Sequence, residues 1–220
     1  MQTFQGILFD LDGTLLDSLE DLARSMNSVL RQYHFPTHEI AAYRYFVGDG
    51  METLVRRTLP SEVQGQAVIQ ECLSAMGETY ARQWDRKTRP YPGVPELLDG
   101  LESLSVPKVI LSNKPHDFTR QMVQKLLAPW RFDLVEGARP EVPKKPDPAG
   151  ALRLAKNLGI RPENFLYLGD TNTDMQTAVA AKMYPVGALW GFRTAEELRR
   201  NGAKSLVENP VEILRYFEKQ

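Results

Sequence analysis

The feature that most restricts the fold is the run Ile7-Leu8-Phe9, three large apolar residues in succession with no polar alternation. Such a run suits a strand covered on both faces, the situation of a central strand in a parallel sheet. It leads directly into Asp10-Leu11-Asp12-Gly13-Thr14. In extended chain, residues two apart point to the same side, so Asp10 and Asp12 are expected to project together. Two carboxylates that close repel unless a cation lies between them or one keeps its proton. A hard cation such as Mg²⁺ meets that need with oxygen ligands. Gly13 permits a sharp turn and Thr14 adds a hydroxyl. The competing reading is an Asp-Gly hairpin. No alternating strand comes next, however: Leu19, Leu22, Ala23, Met26, Leu30 and Tyr33 recur at helical spacing.

The helical pattern persists far longer than a strand-to-strand crossover needs, which is about thirty residues. Asp17 or Ser18 offers an N-cap, with Glu20 and Asp21 in the first turn. A second helical piece is expected from near Thr37, a break at Phe46-Val47-Gly48-Asp49-Gly50, a short helix over Met51 to Thr58 and another after Pro60-Ser61. In that last one Val68, Ile69, Cys72, Leu73, Met76 and Tyr80 form one stripe, which makes Cys72 a small buried hydrophobe. The expected organisation is an α/β core of residues 1–16 and 89–220, interrupted by an all-helical cap of residues 17–88 that could act as a lid.

From the turn-rich Arg89-Pro90-Tyr91-Pro92-Gly93 onward, strand and helix patterns alternate. Strands are expected over Pro107–Asn113, Phe132–Glu136, Phe165–Leu168, Pro185–Leu189 and Ser205–Val207, with a helix over Val211–Phe217 at the end. The fold class is therefore α/β: a Rossmann-like parallel sheet covered by helices. In such sheets ligands bind beyond the carboxyl ends of the strands. The residues just past each strand are Asp10 and Asp12; Ser112, Asn113 and Lys114; Lys144 and Lys145; Gly169, Asp170 and Asp174. Acids, a hydroxyl and ammonium groups on one rim suit a divalent cation with a phosphoryl group. Taken singly the pieces have plainer readings. Ser112-Asn113 could cap a helix, Asp147-Pro148 reads as a helix start, and Thr173 with Gln176 fits a capping box beside Asp174.

Charge narrows the partners. With a formal net charge of −1 the chain presents no broad attraction to nucleic acid or to an anionic membrane. No apolar run is long enough for a bilayer, and the N-terminal run is broken by two aspartates, unlike a signal peptide. The single cysteine excludes an intrachain disulfide and fits a cytoplasmic location.

The order Asp10-x-Asp12-Gly13-Thr14, Ser112-Asn113, Lys145-Pro146 and Gly169-Asp170-x3-Asp174 resembles the haloacid dehalogenase-like phosphatases, over essentially the whole chain. Within that family, Phe46-Val47-Gly48-Asp49-Gly50 and Pro90-Tyr91-Pro92-Gly93-Val94 look like the phosphoglycolate phosphatases. The resemblance implies a Mg²⁺-dependent phosphomonoesterase acting through an aspartyl-phosphate, on 2-phosphoglycolate or a similar small phosphorylated metabolite. It implies Asp10 as nucleophile and Asp12 as general acid and base. It gives the metal Asp10, Asp170 and the Asp12 main-chain carbonyl, the phosphoryl oxygens Ser112, Asn113 and Lys145, and the supporting roles Thr14 and Asp174. Gly48, Gly50 and Arg56 are the cap's substrate candidates. A sugar phosphomutase, a phosphatase for nucleotides, sugar phosphates or pyrophosphate, and a phospho-acceptor switch stay open, as does monomer against homodimer. Asp12 speaks against a dehalogenase, whose halide needs no proton. The absence of lysine between Asp17 and Arg86 speaks against a Schiff-base phosphonate hydrolase.

Overall fold

A computed structural model of the chain describes residues 4–218. It divides into two compact units, Asp17–Arg89 and the remainder, Met1–Leu16 with Pro90–Gln220. The inserted unit contains α1 (Leu19–Gln32), α2 (Tyr43–Phe46), α3 (Met51–Thr58) and α4 (Gln66–Ala81), with 3₁₀ turns at Ile40–Ala42 and Ser61–Val63. Its interior is made by Leu22, Met26, Val29 and Leu30 of α1 with Ile69, Cys72, Met76 and Tyr80 of α4, all essentially inaccessible. Each such side chain contributes about 1.5–3 kcal/mol by leaving water. Ser18 occupies the N-cap position of α1 without a side-chain cap bond. Asp21 turns inward instead and accepts from Lys87 N (2.8 Å), Thr88 N (2.8 Å) and Thr88 Oγ1 (2.9 Å), which anchors the end of the unit to its first helix. Asn27 accepts from His38 N (3.0 Å) and from the Tyr43 hydroxyl (2.9 Å) and donates to His38 O (2.8 Å), fixing the turn between α1 and α2.

The larger unit is built on six parallel strands: β1 (Gly6–Phe9), β2 (Lys108–Pro115), β3 (Leu134–Ala138), β4 (Phe165–Gly169), β5 (Tyr184–Ala188) and β6 (Ser205–Val207). Their spatial order is β3-β2-β1-β4-β5-β6. The chain winds outward on one side of β1, then returns to its other side with β4. The crevice beyond the carboxyl ends of β1 and β4 is the switch point where such sheets take ligands. Ile7, Leu8 and Phe9 are completely buried, as a strand covered on both faces requires. Between β1 and β2 lies α5 (Val94–Ser103), and α6 (His116–Leu126) joins β2 to β3. Over one face α7 (Ala149–Leu158) and α8 (Asn172–Ala180) lay Ala151, Leu154, Ala155 and Ala178 against Leu8, Val109, Phe165 and Tyr167. The left-handed Gly159 ends α7 (φ 66°), the residue type that this conformation favours.

Several expected boundaries move. The strand expected over Phe132–Glu136 is displaced to Leu134–Ala138, and the helix expected over Val211–Phe217 is a 3₁₀ helix over Pro210–Tyr216. The capping box of α8 pairs Thr171 with Asp174, not Thr173 with Gln176, because the helix starts at Asn172. Ser112-Asn113 caps nothing: α6 begins after Pro115, and both residues lie within β2. Asp147 lies one residue before the cap, not at it: α7 starts at Ala149 with Pro148 at the N-cap, and Asp147 accepts from Ala149 N at 2.8 Å. Among the described residues no helix is long and apolar enough to cross a membrane.

Candidate active site

β1 ends at Phe9, and the main chain of Asp10 makes one last ladder bond, to Leu168 O (3.0 Å). From Leu11 the chain turns tightly, with Leu15 N and Leu16 N both donating to Leu11 O. Gly13 sits at φ 89° inside this turn, and a Cβ there would strike Asp170 and Phe192. Asp10 and Asp12 thus leave the strand for a loop, and each meets its own ammonium. Lys145 Nζ donates to Asp10 Oδ1 (2.8 Å) and to Asp174 Oδ1 (2.7 Å). Lys114 Nζ donates to Asp12 Oδ2 (2.9 Å) and Oδ1 (3.2 Å). The repulsion expected between two neighbouring carboxylates is met here by two lysines.

Each site side chain has an identifiable support. β2 loses its regular register between Leu111 and Pro115, where Ser112, Asn113 and Lys114 lie. Such irregularities re-aim side chains. Asn113 accepts from Lys145 N (2.9 Å) and donates to Lys145 O (3.0 Å), so its amide clamps the lysine loop. Ser112 Oγ accepts from Lys114 N at 3.2 Å. Asp170, fully buried beyond β4, accepts from Thr14 Oγ1 (2.8 Å) and from Phe192 N (2.8 Å). Gly191 has no room for a side chain, since a Cβ would collide with Asp170 and the Gly13 carbonyl. Trp190 Nε1 donates to Thr14 O at 2.9 Å, so the loop after β5 buttresses both Thr14 and Asp170. Asp174 accepts from Thr171 N (3.0 Å) and Oγ1 on Oδ2, and from Lys145 and Tyr167 on Oδ1, tying the start of α8 to Lys145. Asp10 Oδ2 alone among these carboxylate oxygens accepts no hydrogen bond from the described residues.

Asp10, Asp170 and Asp174 each offer a carboxylate oxygen, and these lie within 4.8 Å of one another, all buried. Burial, then Asp174, pushes the Asp10 carboxyl up to about 7, outweighing the attraction of Lys145. Burial followed by Asp10 and Asp174 raises Asp170 well above the carboxylate range, against the donors Phe192 N and Thr14. Burial pulls the Lys145 ammonium down, but Asp10 and Asp174 together hold it well above the ordinary lysine value. The cluster thus carries more negative charge than its single lysine neutralises. An all-carboxylate, desolvated donor set of this kind fits a hard divalent cation. Asp10 differs from the other two: both oxygens of Asp170 and of Asp174 accept hydrogen bonds, whereas only Oδ1 of Asp10 does among the described residues.

The raised Asp10 has a consequence for stability. Below about pH 4 the carboxyl is protonated in folded and unfolded chain alike. Between there and about 7 the unfolded chain loses the proton first, so stability falls as pH rises through this window. With a chelator present, the stability of wild type relative to Asp10→Asn is expected to drop by roughly 3–4 kcal/mol from pH 4 to pH 7.5. Urea unfolding of both proteins across that range measures it; a flat difference contradicts the raised value.

In the helical unit Gly48 (φ 120°) and Gly50 (φ 92°) take left-handed conformations around the start of α3. Arg56 is held by Glu52 (2.7 Å) and Gln66 (2.9 Å) and is half-exposed. Arg57 pairs with Asp49 and donates to the carbonyls of Tyr45 and Phe46, stiffening the glycine loop. The residue pattern marks neither this task of Arg57 nor the grips of Lys114, Asn113 and the 190–192 loop.

Comparison with known proteins agrees with this geometry. A profile of the haloacid dehalogenase-like hydrolases matches residues 7–188. The phosphoglycolate phosphatase of Pseudomonas putida KT2440 is 33% identical over 207 residues, covering 92% of this chain and 76% of its own. That of Nitrosococcus oceani is 31% identical over 212 residues, covering 94% of this chain and 93% of its own. A crystal structure of a provisionally assigned phosphoglycolate phosphatase from Lactobacillus delbrueckii subsp. bulgaricus superposes with a TM-score of 0.92 at 26% identity, over 99% of this chain and 100% of that one. A Streptococcus pneumoniae protein of the haloacid dehalogenase-like family, at 24% identity, adds support for the fold alone, with a TM-score of 0.88 over 99% of this chain and 100% of that one. The chain belongs to the haloacid dehalogenase-like hydrolase family, as a phosphatase similar to that family's phosphoglycolate phosphatases.

Proposed function

We propose that the chain is a Mg²⁺-dependent phosphomonoesterase that works through an aspartyl-phosphate on Asp10, with 2-phosphoglycolate or a similarly small phosphorylated metabolite as substrate. The observation that carries this reading is the state of Asp10. One oxygen is fixed by a buried ammonium and the other accepts no hydrogen bond from the described residues, at the mouth of β1 beside Asp170. Asp10, Asp170 and the main-chain carbonyl of Asp12 would hold the ion, whose chemistry when bound is to offset negative charge on the phosphoryl group.

The chain's own residues account for the rest. An Asp10 oxygen forms a bond to phosphorus as the bond to the leaving oxygen breaks, and the electron pair leaves with that oxygen. Asp12 donates the proton that turns the departing group into an alcohol. Asp12 then takes a proton from water, whose oxygen attacks phosphorus and releases phosphate, restoring the Asp10 carboxylate. Lys145 and the Ser112 hydroxyl hold the equatorial oxygens, where charge resides during transfer. Asn113 acts with them by holding the Lys145 main chain. Thr14 and Asp174 keep Asp170 and Lys145 in place. The helical unit, inserted directly after this loop, is read as the lid that selects substrates, through the Gly48–Gly50 loop and Arg56.

A panel of 2-phosphoglycolate, sugar phosphates, nucleotides and pyrophosphate, compared by kcat/KM with Mg²⁺ and with chelator, tests the reading. The expected result is Mg²⁺-dependent release of phosphate with the largest kcat/KM for 2-phosphoglycolate. Preference for another monoester corrects the substrate only. Absence of release from every compound, or a phosphoprotein stable for minutes, overturns the phosphatase mechanism.

A further inference from the structure

Lys114 takes no part in the bond-making and proton-transfer steps, yet its side chain pairs with Asp12. Its ammonium reaches both carboxylate oxygens, at 2.9 and 3.2 Å, across 102 residues of sequence. The pair is shielded, with side-chain exposures of 3% for Lys114 and 12% for Asp12. Its main chain is pinned on both sides: Lys114 N donates to Ser112 Oγ (3.2 Å), and Lys114 O accepts from Thr119 Oγ1 (3.2 Å) at the start of α6. The ammonium is therefore delivered from the end of β2, at a residue whose main-chain N–H and carbonyl are both tied.

Asp12 needs that grip. It lies in the turn after β1, and the terminal torsion of an aspartate has a broad, shallow profile. One side chain must face the leaving oxygen in the first half of the cycle and water in the second, and a misplacement of about 1 Å costs about a hundredfold. Lys145 is engaged elsewhere, donating to Asp10 and Asp174. We propose that Lys114 is a positioning residue for Asp12, fixing the carboxyl group that gives the leaving oxygen its proton and so making esters of poorly leaving alkyl alcohols accessible. The proposal rests on the phosphatase reading above.

The distinguishing property is sensitivity to the leaving group. A dinitrophenolate departs readily without a proton, whereas an alkoxide does not. Under the proposal, loss of Lys114 harms only the substrates that depend on the acid. The experiment measures kcat/KM for dinitrophenyl phosphate and for 2-phosphoglycolate or glycerol phosphate on the full chain with Mg²⁺, in wild type, Lys114→Met and Lys114→Arg. This constant reports the steps through transfer to Asp10, so hydrolysis of the phosphoenzyme does not mask the effect. Lys114→Met is expected to lower the alkyl value about a hundredfold and the aryl value less than about fivefold. Lys114→Arg, which keeps the positive charge and can donate to both Asp12 oxygens, recovers most of the loss. Both substrates are assayed on one preparation, so partial unfolding cancels in their ratio. Equal losses, or an unchanged ratio, overturn the proposal and assign Lys114 to structure. A wild-type protein that cleaves neither ester overturns the phosphatase reading itself.

Discussion

Asp10→Asn is expected to reduce phosphate release from every active monoester by about four orders of magnitude or more, without loss of the fold. The replacement keeps shape and removes the anionic oxygen that forms the bond to phosphorus. Little remains for other groups to do in its absence: Lys145, Ser112 and Asp12 bind and shuttle protons but offer no competing nucleophile at that position. The stability outcome is the more discriminating half. A carboxyl held near 7 by burial and by Asp174 costs the folded chain free energy at neutral pH. Its amide analogue avoids that cost, so in chelator at pH 7.5 the variant should unfold at a urea concentration equal to or above that of wild type. Acid-quenched wild type should carry phosphate on the protein during turnover, and Asp10→Asn should carry none. A variant within tenfold of wild type would remove Asp10 as the nucleophile.

How much of this site the amino-acid order discloses depends on the range of the interaction concerned. The strands that end in Asp10 and Asp170 are legible because their cause is local: Ile7-Leu8-Phe9 and Phe165-Leu166-Tyr167-Leu168 are unbroken apolar runs halted by polar residues. The insertion is legible from its length and period. What escapes is set by contacts across long stretches of chain. Nothing near Lys114 marks it as the partner of Asp12, and nothing in Asn113 marks its amide as a clamp on Lys145. The support of Asp170 by Phe192 comes from a main-chain N–H, a group every residue but proline carries. Its only trace is Gly191, needed because Asp170 lies against it. The misassigned capping box of α8 has a smaller cause: the true helix start at Asn172 moves the cap from Thr173 to Thr171 and makes Asp174, in place of Gln176, the box's second side chain.

That same Asp174 explains why Lys145→Met should be the most damaging single change to stability in the site. Lys145 is 3% exposed and bridges Asp10 and Asp174 at 2.8 and 2.7 Å, with Asp170 alongside. Methionine preserves the packing of the aliphatic stem and deletes only the ammonium. Three buried carboxylates then face one another without the ammonium that bridged two of them. Removing one partner of a buried pair costs about 3–5 kcal/mol because the remaining charge is left uncompensated. Against a total stability of about 5–15 kcal/mol, that is a large fraction. The loss should be greatest above pH 7, where the carboxyls are most ionised, and should shrink as they take up protons toward pH 5. Mg²⁺ should recover part of it, since the ion supplies the missing positive charge to the same oxygens. Turnover should nonetheless stay down by about a hundredfold or more with Mg²⁺ saturating, because the ion does not replace the donor that holds the phosphoryl oxygen. Asp174→Asn in the same background relieves one of the three charges and should restore stability but not activity. Thermal unfolding of wild type, the two single variants and the double variant, with and without Mg²⁺, gives the coupling between the two positions. If Lys145→Met proves as stable as wild type in chelator at pH 8, the three carboxylates do not share one field.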